Sequence, residues 1–330
     1  MMKIGTRISP DWIERPDDLR FLKQIGVDYV DITLDMVRDY EESGGRATRE
    51  ALEEVVTRLD DVGLKIERAN SLNRHYEKTF LGRPGSEREI ENGQVNADLC
   101  GDLDIPLMGI QAFQASQLAG SRGETHSYVK GRGGYRHLKV ELAGVLNQPQ
   151  TPGAPTRGEL WERTLDIYRN VVPVAEKAGV KIAMHGNDPP VPSVDGVPQV
   201  LYDFASFERL FSEVPSSNSG MTFCVGTRYE SGEDIFEGIR RFGVQGKLFH
   251  VHFRNVRGTI PNGKGYEEVM PDEGDLSMYR VAKALQDTGY EGVIDYDHIM
   301  RLSTDGPAGR EYIAYCVGHM RGILQSVNRE

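Results

Sequence analysis

With 330 residues, 38% hydrophobic and 27% charged, the chain has the composition of a soluble globular protein. Its net charge of −11 excludes a general nucleic-acid binder, which needs clustered Lys and Arg, but leaves room for a local arginine to hold a small anion. No apolar run is long enough for a membrane helix, the opening MMKIGTRISPDW lacks the build of a secretory signal, and Cys100, Cys224 and Cys316 form no disulfide framework, so the expected setting is the cytoplasm, with no membrane partner.

Short β-branched or apolar runs alternate with amphipathic stretches along the chain. The first strand is expected over Lys3–Ile8, followed by a helix near Asp18–Ile25 that ends at Gly26. A second strand, Tyr29–Leu34, precedes a helix over Thr48–Val62, where Leu52, Val55, Val56, Leu59 and Val62 recur at helical spacing and Gly63 is a natural stop. A third strand covers Lys65–Ala69, a helix Ser86–Gly101, and a fourth strand Leu107–Phe113. The step from a helix over Gly158–Lys177, through Gly179, to a strand over Val180–His185 is the clearest of all. Strands then fall at Met221–Gly226, Lys247–Asn255 and Gly292–His298, with helices near Gly232–Phe242, Ser277–Thr288 and Ala308–Ser326. Eight strands, each followed by a helical segment, predict a (β/α)8 TIM barrel, with a doubly wound open sheet as the competitor. We expect one domain over residues 1–330, interrupted by insertions at 114–156 and 256–275. Both insertions follow strands, the fourth and the seventh, so in a barrel both lie over the C-terminal face, either as lid or substrate wall or as surface decoration or a subunit contact.

Four successive strand ends each offer a metal ligand: His185, Cys224, His252 and Asp297. Alternation places His250, His252 and Arg254 on one face, and Asp295 and Asp297 likewise. Any one of these residues alone is weak evidence, since a strand-end His or a buried Cys is usually structural. Four at the same end of four adjacent strands can converge on one ion. Two imidazoles, a thiolate and a carboxylate suit Mn2+, Fe2+, Co2+ or Zn2+ better than Mg2+ or Ca2+. At a barrel mouth such a site is expected to keep open positions and to serve catalysis.

The segments MHGNDPP (Met184–Pro190), TFCVG (Thr222–Gly226), HVHFRN (His250–Asn255), GDLSM (Gly274–Met278) and DH (Asp297–His298) occur in that order. Together they resemble the mannonate dehydratase family of the xylose-isomerase-like barrel superfamily. The resemblance implies that His185, Cys224, His252 and Asp297 hold Mn2+ or a similar ion, such as Fe2+ or Co2+. It also implies loss of water from a sugar acid to give a 2-keto-3-deoxy acid. Where the family has CHPDDPP this chain has Met184, Gly186 and Asn187 at changed positions, Pro271 replaces a common His, and Ile299 follows the DH pair.

The implied chemistry is metal-assisted proton abstraction beside a carboxylate, followed by β-elimination of a hydroxyl. His298 resembles the family's catalytic His, and Tyr312 is a candidate acid, set against a packed helical Tyr. Arg254 could clamp a carboxylate, with a structural ion pair as the other reading. Asn255 follows it directly, and Asn187 and Asp188 could bond substrate hydroxyls. Tyr128, Tyr135, Arg136 and His137 lie in the first insertion, from which they could reach such a pocket, though the sequence does not place them. The expected partners are a small-molecule sugar acid and further copies of the chain. A sugar isomerase or epimerase on the same barrel is the main alternative, and Glu67, expected at the end of the third strand, has no evident partner for it. A phosphodiesterase conflicts with the net charge. A non-catalytic sugar binder conflicts with the presence of His298 and Arg254.

Overall fold

In the computed structural model, which describes residues 1–115, 118, 125–300 and 302–329, the strands in chain order are β1 (Lys3–Arg7), β2 (Tyr29–Thr33), β3 (Lys65–Ser71), β4 (Leu107–Gln111), β5 (His126–Lys130), β6 (Arg136–Glu141), β7 (Lys181–His185), β8 (Ser193–Val194), β9 (Val197–Pro198), β10 (Ser219–Cys224), β11 (Leu248–His252), β12 (Val256–Arg257), β13 (Gly265–Glu268) and β14 (Val293–Asp295). Eight of them close a parallel barrel in the order β1, β2, β3, β4, β7, β10, β11, β14 and back to β1. Each barrel strand therefore pairs with the next one along the chain, as βα units require. The expected barrel is the observed fold.

Helices form where apolar spacing and caps agree. Arg49–Asp60 buries Ala51, Leu52, Val55 and Leu59 on one stripe, and the Thr48 hydroxyl caps it by accepting from the Ala51 N–H. Arg157–Ala178 starts with a capping box between Thr156 and Glu159 and ends at Gly179, whose φ of 74° is the left-handed conformation glycine favours. Phe204–Glu213, buried through Phe204, Phe207, Leu210 and Phe211, is a helix that the sequence reading passed over.

Several strand ends differ from expectation. β10 stops at Cys224 because the chain turns at once into the helix Val225–Glu230, for which Cys224 is the cap. β11 ends at His252 and β14 at Asp295, so Arg254, Asn255 and Asp297 lie beyond the ladders. β3 runs on to Ser71, which leaves Glu67 inside the barrel rather than at its mouth.

The two insertions are not independent loops. Strands β12 and β13 from the second pair antiparallel with β6 and β5 from the first, in the order β12, β13, β6, β5. Part of the first insertion lies outside the described residues. No described helix is long and apolar enough to cross a membrane.

Candidate metal centre and active-site cavity

His185 ends β7, Cys224 ends β10, His252 ends β11, and Asp297 lies two residues past β14. One donor atom from each lies within 4.8 Å of all the others. His252 Nδ1 is 3.3 Å from Asp297 Oδ2, and Cys224 Sγ is 3.8 Å from the same oxygen. Cys224, His252 and Asp297 are buried, and His185 opens onto the cavity. Alternation along the strands accounts for the two histidines. Asp297 arrives differently, through a backbone φ of 62°.

The electrostatics fit a bound cation. Burial, reinforced by His252, pushes the His185 imidazole down to about 3, and burial pushes His252 down to about 4, so both rings are neutral at pH 7, as ligands must be. Burial alone would raise the Asp297 carboxyl, but His252, His298 and Arg7 hold it well below the usual carboxylate range. The Cys224 thiol is pushed up to about 12, chiefly by burial, so its proton stays on until a divalent ion supplies the missing positive charge. Sulfur nonetheless has donors waiting: the Thr227 hydroxyl at 3.0 Å and the Thr227 N–H at 3.4 Å. His185 Nδ1 lies 2.9 Å from the Gly186 carbonyl, and donation there leaves Nε2 with its lone pair. His252 Nδ1 is buried with no hydrogen-bond partner among the described residues and faces the cluster.

Around this cluster Arg254 is a buried hub. It bonds Glu230 at 2.7 Å and Asp188 at 2.8 Å, and pairs with Asp297 at 3.2 Å and Glu268 at 3.5 Å. Gly226 makes room for it, since a Cβ there would meet Arg254 Cγ at 2.8 Å. Asp188 also accepts from the Tyr266 hydroxyl at 2.8 Å. On the other side, His298 Nδ1 is 2.7 Å from Glu268 Oε2, and its Nε2 is 3.4 Å from Asp297. Although burial lowers it, Asp297 and Glu268 outweigh burial and raise the His298 imidazolium to about 9. His185, Asp188, His252, Tyr266, Asp297 and His298 line a cavity of about 900 Å³, roofed by the insertion sheet.

Beneath the cluster, His250 bridges Glu67 and Asp295 at 2.9 Å each, and Arg68 bonds Asp31 at 2.6 Å and His252 Nε2 at 2.9 Å. Asp31, His250, His252 and Asp295 also bring donor atoms together, but Arg68 and Glu67 already match their charges.

Some expected site residues are not on the cavity wall. Asn187 is buried, donating to the Phe113 carbonyl and accepting from the Leu201 N–H, so its amide is committed to backbone. Asn255 donates to the carbonyls of Pro271 and Leu276 and accepts from the N–H groups of Val256 and Leu276, which pins the second insertion. Tyr312 is buried edge-on against the Tyr296 ring, with centroids 5.9 Å apart. Arg254 touches no open space, for its fork is filled by carboxylates. Glu67 faces His250 within the barrel.

Sequence reasoning missed Arg7, Tyr266 and Glu67 as members of these networks. Arg7, at the end of β1, lines the cavity and lies 3.3 Å from Asp31 and 3.4 Å from Asp297. The available signal was an arginine closing a barrel strand. Tyr266 had none, because its strand forms by pairing with β12 and β6 rather than within the barrel.

The family described as D-mannonate dehydratase (UxuA) matches residues 156–330. A mannonate dehydratase of Thermotoga maritima is 37% identical over 276 residues, covering 73% of this chain and 74% of that protein. For mannonate dehydratase 2 of Halalkalibacterium halodurans the values are 34% over 158 residues, covering 48% of this chain and 45% of that protein. Among solved structures, mannonate dehydratase from Streptococcus suis serotype 2 superposes with a TM-score of 0.80 at 21% identity, over 99% of this chain and 94% of that one. The D-psicose 3-epimerase of Clostridium cellulolyticum H10 superposes with a TM-score of 0.63 at 14% identity, over 98% of this chain and 99% of that one. These two likenesses establish a shared fold.

Proposed function

The chain belongs to the D-mannonate dehydratase (UxuA) family, and from that premise we propose that it is a metal-dependent hydro-lyase that removes water from a sugar acid, giving a 2-keto-3-deoxy acid. The observation that carries this reading is the convergence of His185, Cys224, His252 and Asp297, three of which, His185, His252 and Asp297, line a cavity that also holds a proton-bearing His298. Those four residues would hold a divalent ion, Mn2+ with Fe2+ or Co2+ as alternatives, which would supply Lewis acidity beside the substrate carboxylate.

The chain's own residues do the rest. His298 carries its proton on an imidazole oriented by Glu268 and delivers it to the departing hydroxyl, which leaves as water. Asp188, held by Arg254 and Tyr266, keeps an ionised carboxylate in the cavity to accept hydrogen bonds from substrate hydroxyls and to take the proton lost beside the substrate carboxylate. Arg254 neutralises the surplus of carboxylates so that they can stand together in a buried site. In this reading the chain acts as one domain, with the segments 114–156 and 256–275 as its roof.

The test is mass spectrometry of a panel of sugar acids, mannonate included, after incubation with the Mn2+-loaded protein. A product short of one water supports the hydro-lyase. An unchanged mass with an altered retention time replaces it with an isomerase or epimerase.

A further inference from the structure

The roof of the cavity is built from both insertions, and its inner face is graded. Register places Glu268 opposite Leu138, and Leu138 opposite Tyr128, in one row across β13, β6 and β5. Residues directly opposite one another in antiparallel strands point to the same face, as do residues two apart along a strand. Tyr266, Glu268, Leu138, Arg136, Tyr128 and His126 therefore share one face, and all six line the cavity. The end near the metal ligands is polar, through Tyr266 and Glu268. An apolar step at Leu138 follows. At the far end Arg136 lies over the Tyr128 ring, 5.2 Å from its centroid.

Among the described residues three arginines line the cavity, and their partners separate them. Arg7 pairs with Asp31 and Asp297, and Arg74 pairs with Asp35 and Glu41. Among the described residues Arg136 pairs with no carboxylate, and its guanidinium has only the Tyr128 ring. An uncommitted guanidinium on a cavity wall, in a chain with a net charge of −11, is suited to receive an anion from the ligand. The cavity, at about 900 Å³, is also roomier than a six-carbon acid needs.

Spacing gives the anion's place. Two strand intervals separate Glu268 from Tyr128, roughly 10 Å at about 4.8 Å per interval. Arg136 lies one strand interval across from Glu268 and two residues along β6, so an extended six-carbon chain that starts beside Glu268 and carries a charged substituent on its last carbon can bring that charge to the Arg136 side chain.

We propose that Arg136, backed by Tyr128, forms a distal subsite for a second anionic group, so that the substrate is a six-carbon sugar acid charged at both ends. This rests on the hydro-lyase reading for the near end only. The far-end anion is a carboxylate or a phosphate, both of which a guanidinium holds in the same bidentate way.

The experiment compares three acids of the same stereochemistry on the Mn2+-loaded protein: the hexonate with a free terminal hydroxyl, the corresponding hexarate, and the 6-phosphohexonate. Both kcat/KM for water loss and Kd by calorimetry are measured, for the unaltered protein and for Arg136→Gln. At least one doubly charged acid is expected to exceed the hexonate tenfold or more in both quantities, and Arg136→Gln is expected to cut that ratio tenfold or more. Whichever of the two acids gains identifies the anion. A hexonate that performs as well as both doubly charged acids overturns the subsite, as does an Arg136→Gln variant that weakens all three alike. If none of the acids loses water, the hydro-lyase reading fails, and the binding ratio alone still decides the subsite.

Discussion

Asp295 Oδ1 accepts a hydrogen bond from the backbone N–H of Asp297 at 2.9 Å, while its other oxygen lies 2.9 Å from His250 Nε2. A buried floor residue thereby holds the left-handed turn, φ 62°, that swings the Asp297 carboxylate into the metal cluster. Asp295→Asn removes the charge facing His250 and should cost about 3–5 kcal/mol of stability, the usual result of breaking a buried pair. Metal affinity should fall with it. Urea unfolding and metal titration check both, and unchanged metal affinity in a folded variant would separate Asp297's conformation from Asp295.

The same floor makes a pH prediction. Burial and Arg68 push the His250 imidazolium down, but Glu67 and Asp295 outweigh them and raise it to about 9. A folded pKa above the ordinary histidine value, about 6.5, means the stabilisation is complete below that value and is lost as pH rises through about 9. Unfolding midpoints should therefore decline from pH 7 to 9.5. In His250→Gln, less stable throughout, that part of the slope should flatten. Parallel slopes for the two proteins would reject the assignment.

Replacing Cys224 by Ser should lower metal affinity by at least tenfold, because a buried hydroxyl cannot take over the thiolate's charge. Chelation of the unaltered protein should lower its melting temperature, and Mn2+ should restore it, since an ion that binds only the folded chain stabilises by about 2.7 kcal/mol at a hundredfold excess over Kd. Elemental analysis and thermal scans read this directly. Equal metal content in the two proteins would remove Cys224 from the ligand set.

Glu268 reaches His298 from the second insertion, at 2.7 Å. Glu268→Gln takes away one of the two carboxylates that keep the His298 proton on, so the alkaline limb of the kcat profile should move to lower pH. At neutral pH kcat should fall about 10- to 100-fold, the low end of what a positioned proton donor contributes. A limb that stays put would mean that His298 is not the group being read.

Asn187 bonds the Phe113 carbonyl and the Leu201 N–H, and its own side chain is fully buried. Asn187→Ala should cost roughly 1–3 kcal/mol by leaving buried backbone groups unpaired, with no selective rise in KM. Unfolding curves and steady-state kinetics on the same preparation test this. A large KM effect with stability intact would return Asn187 to the substrate.

The barrel and the meeting of His185, Cys224 and His252 at neighbouring strand ends were legible because both depend on local pattern. Alternation in VKIAMH and KLFHVHFRN marks strands, and His185 and His252 sit at ends that alternation alone points inward. Roles assigned by adjacency fared differently. Asn187, Asn255 and Arg254 neighbour ligands in sequence, yet their polar groups are spent on backbone carbonyls and carboxylates contributed by distant segments. Tyr312, weighed as an acid against a packed helical Tyr, is the packed residue, edge-on against Tyr296.

The sequence by itself determined the repeating βα order and the strand ends that carry His185, Cys224 and His252, because periodicity is a property of short segments. Only the tertiary structure decided that Asp297 turns inward through a left-handed backbone, that Arg7 and Tyr266 face the cavity, and that the two insertions share one sheet over it. The shared sheet depends on pairing between residues far apart in the chain, such as Val140 with Tyr266, and no local pattern encodes which distant strand will supply a partner.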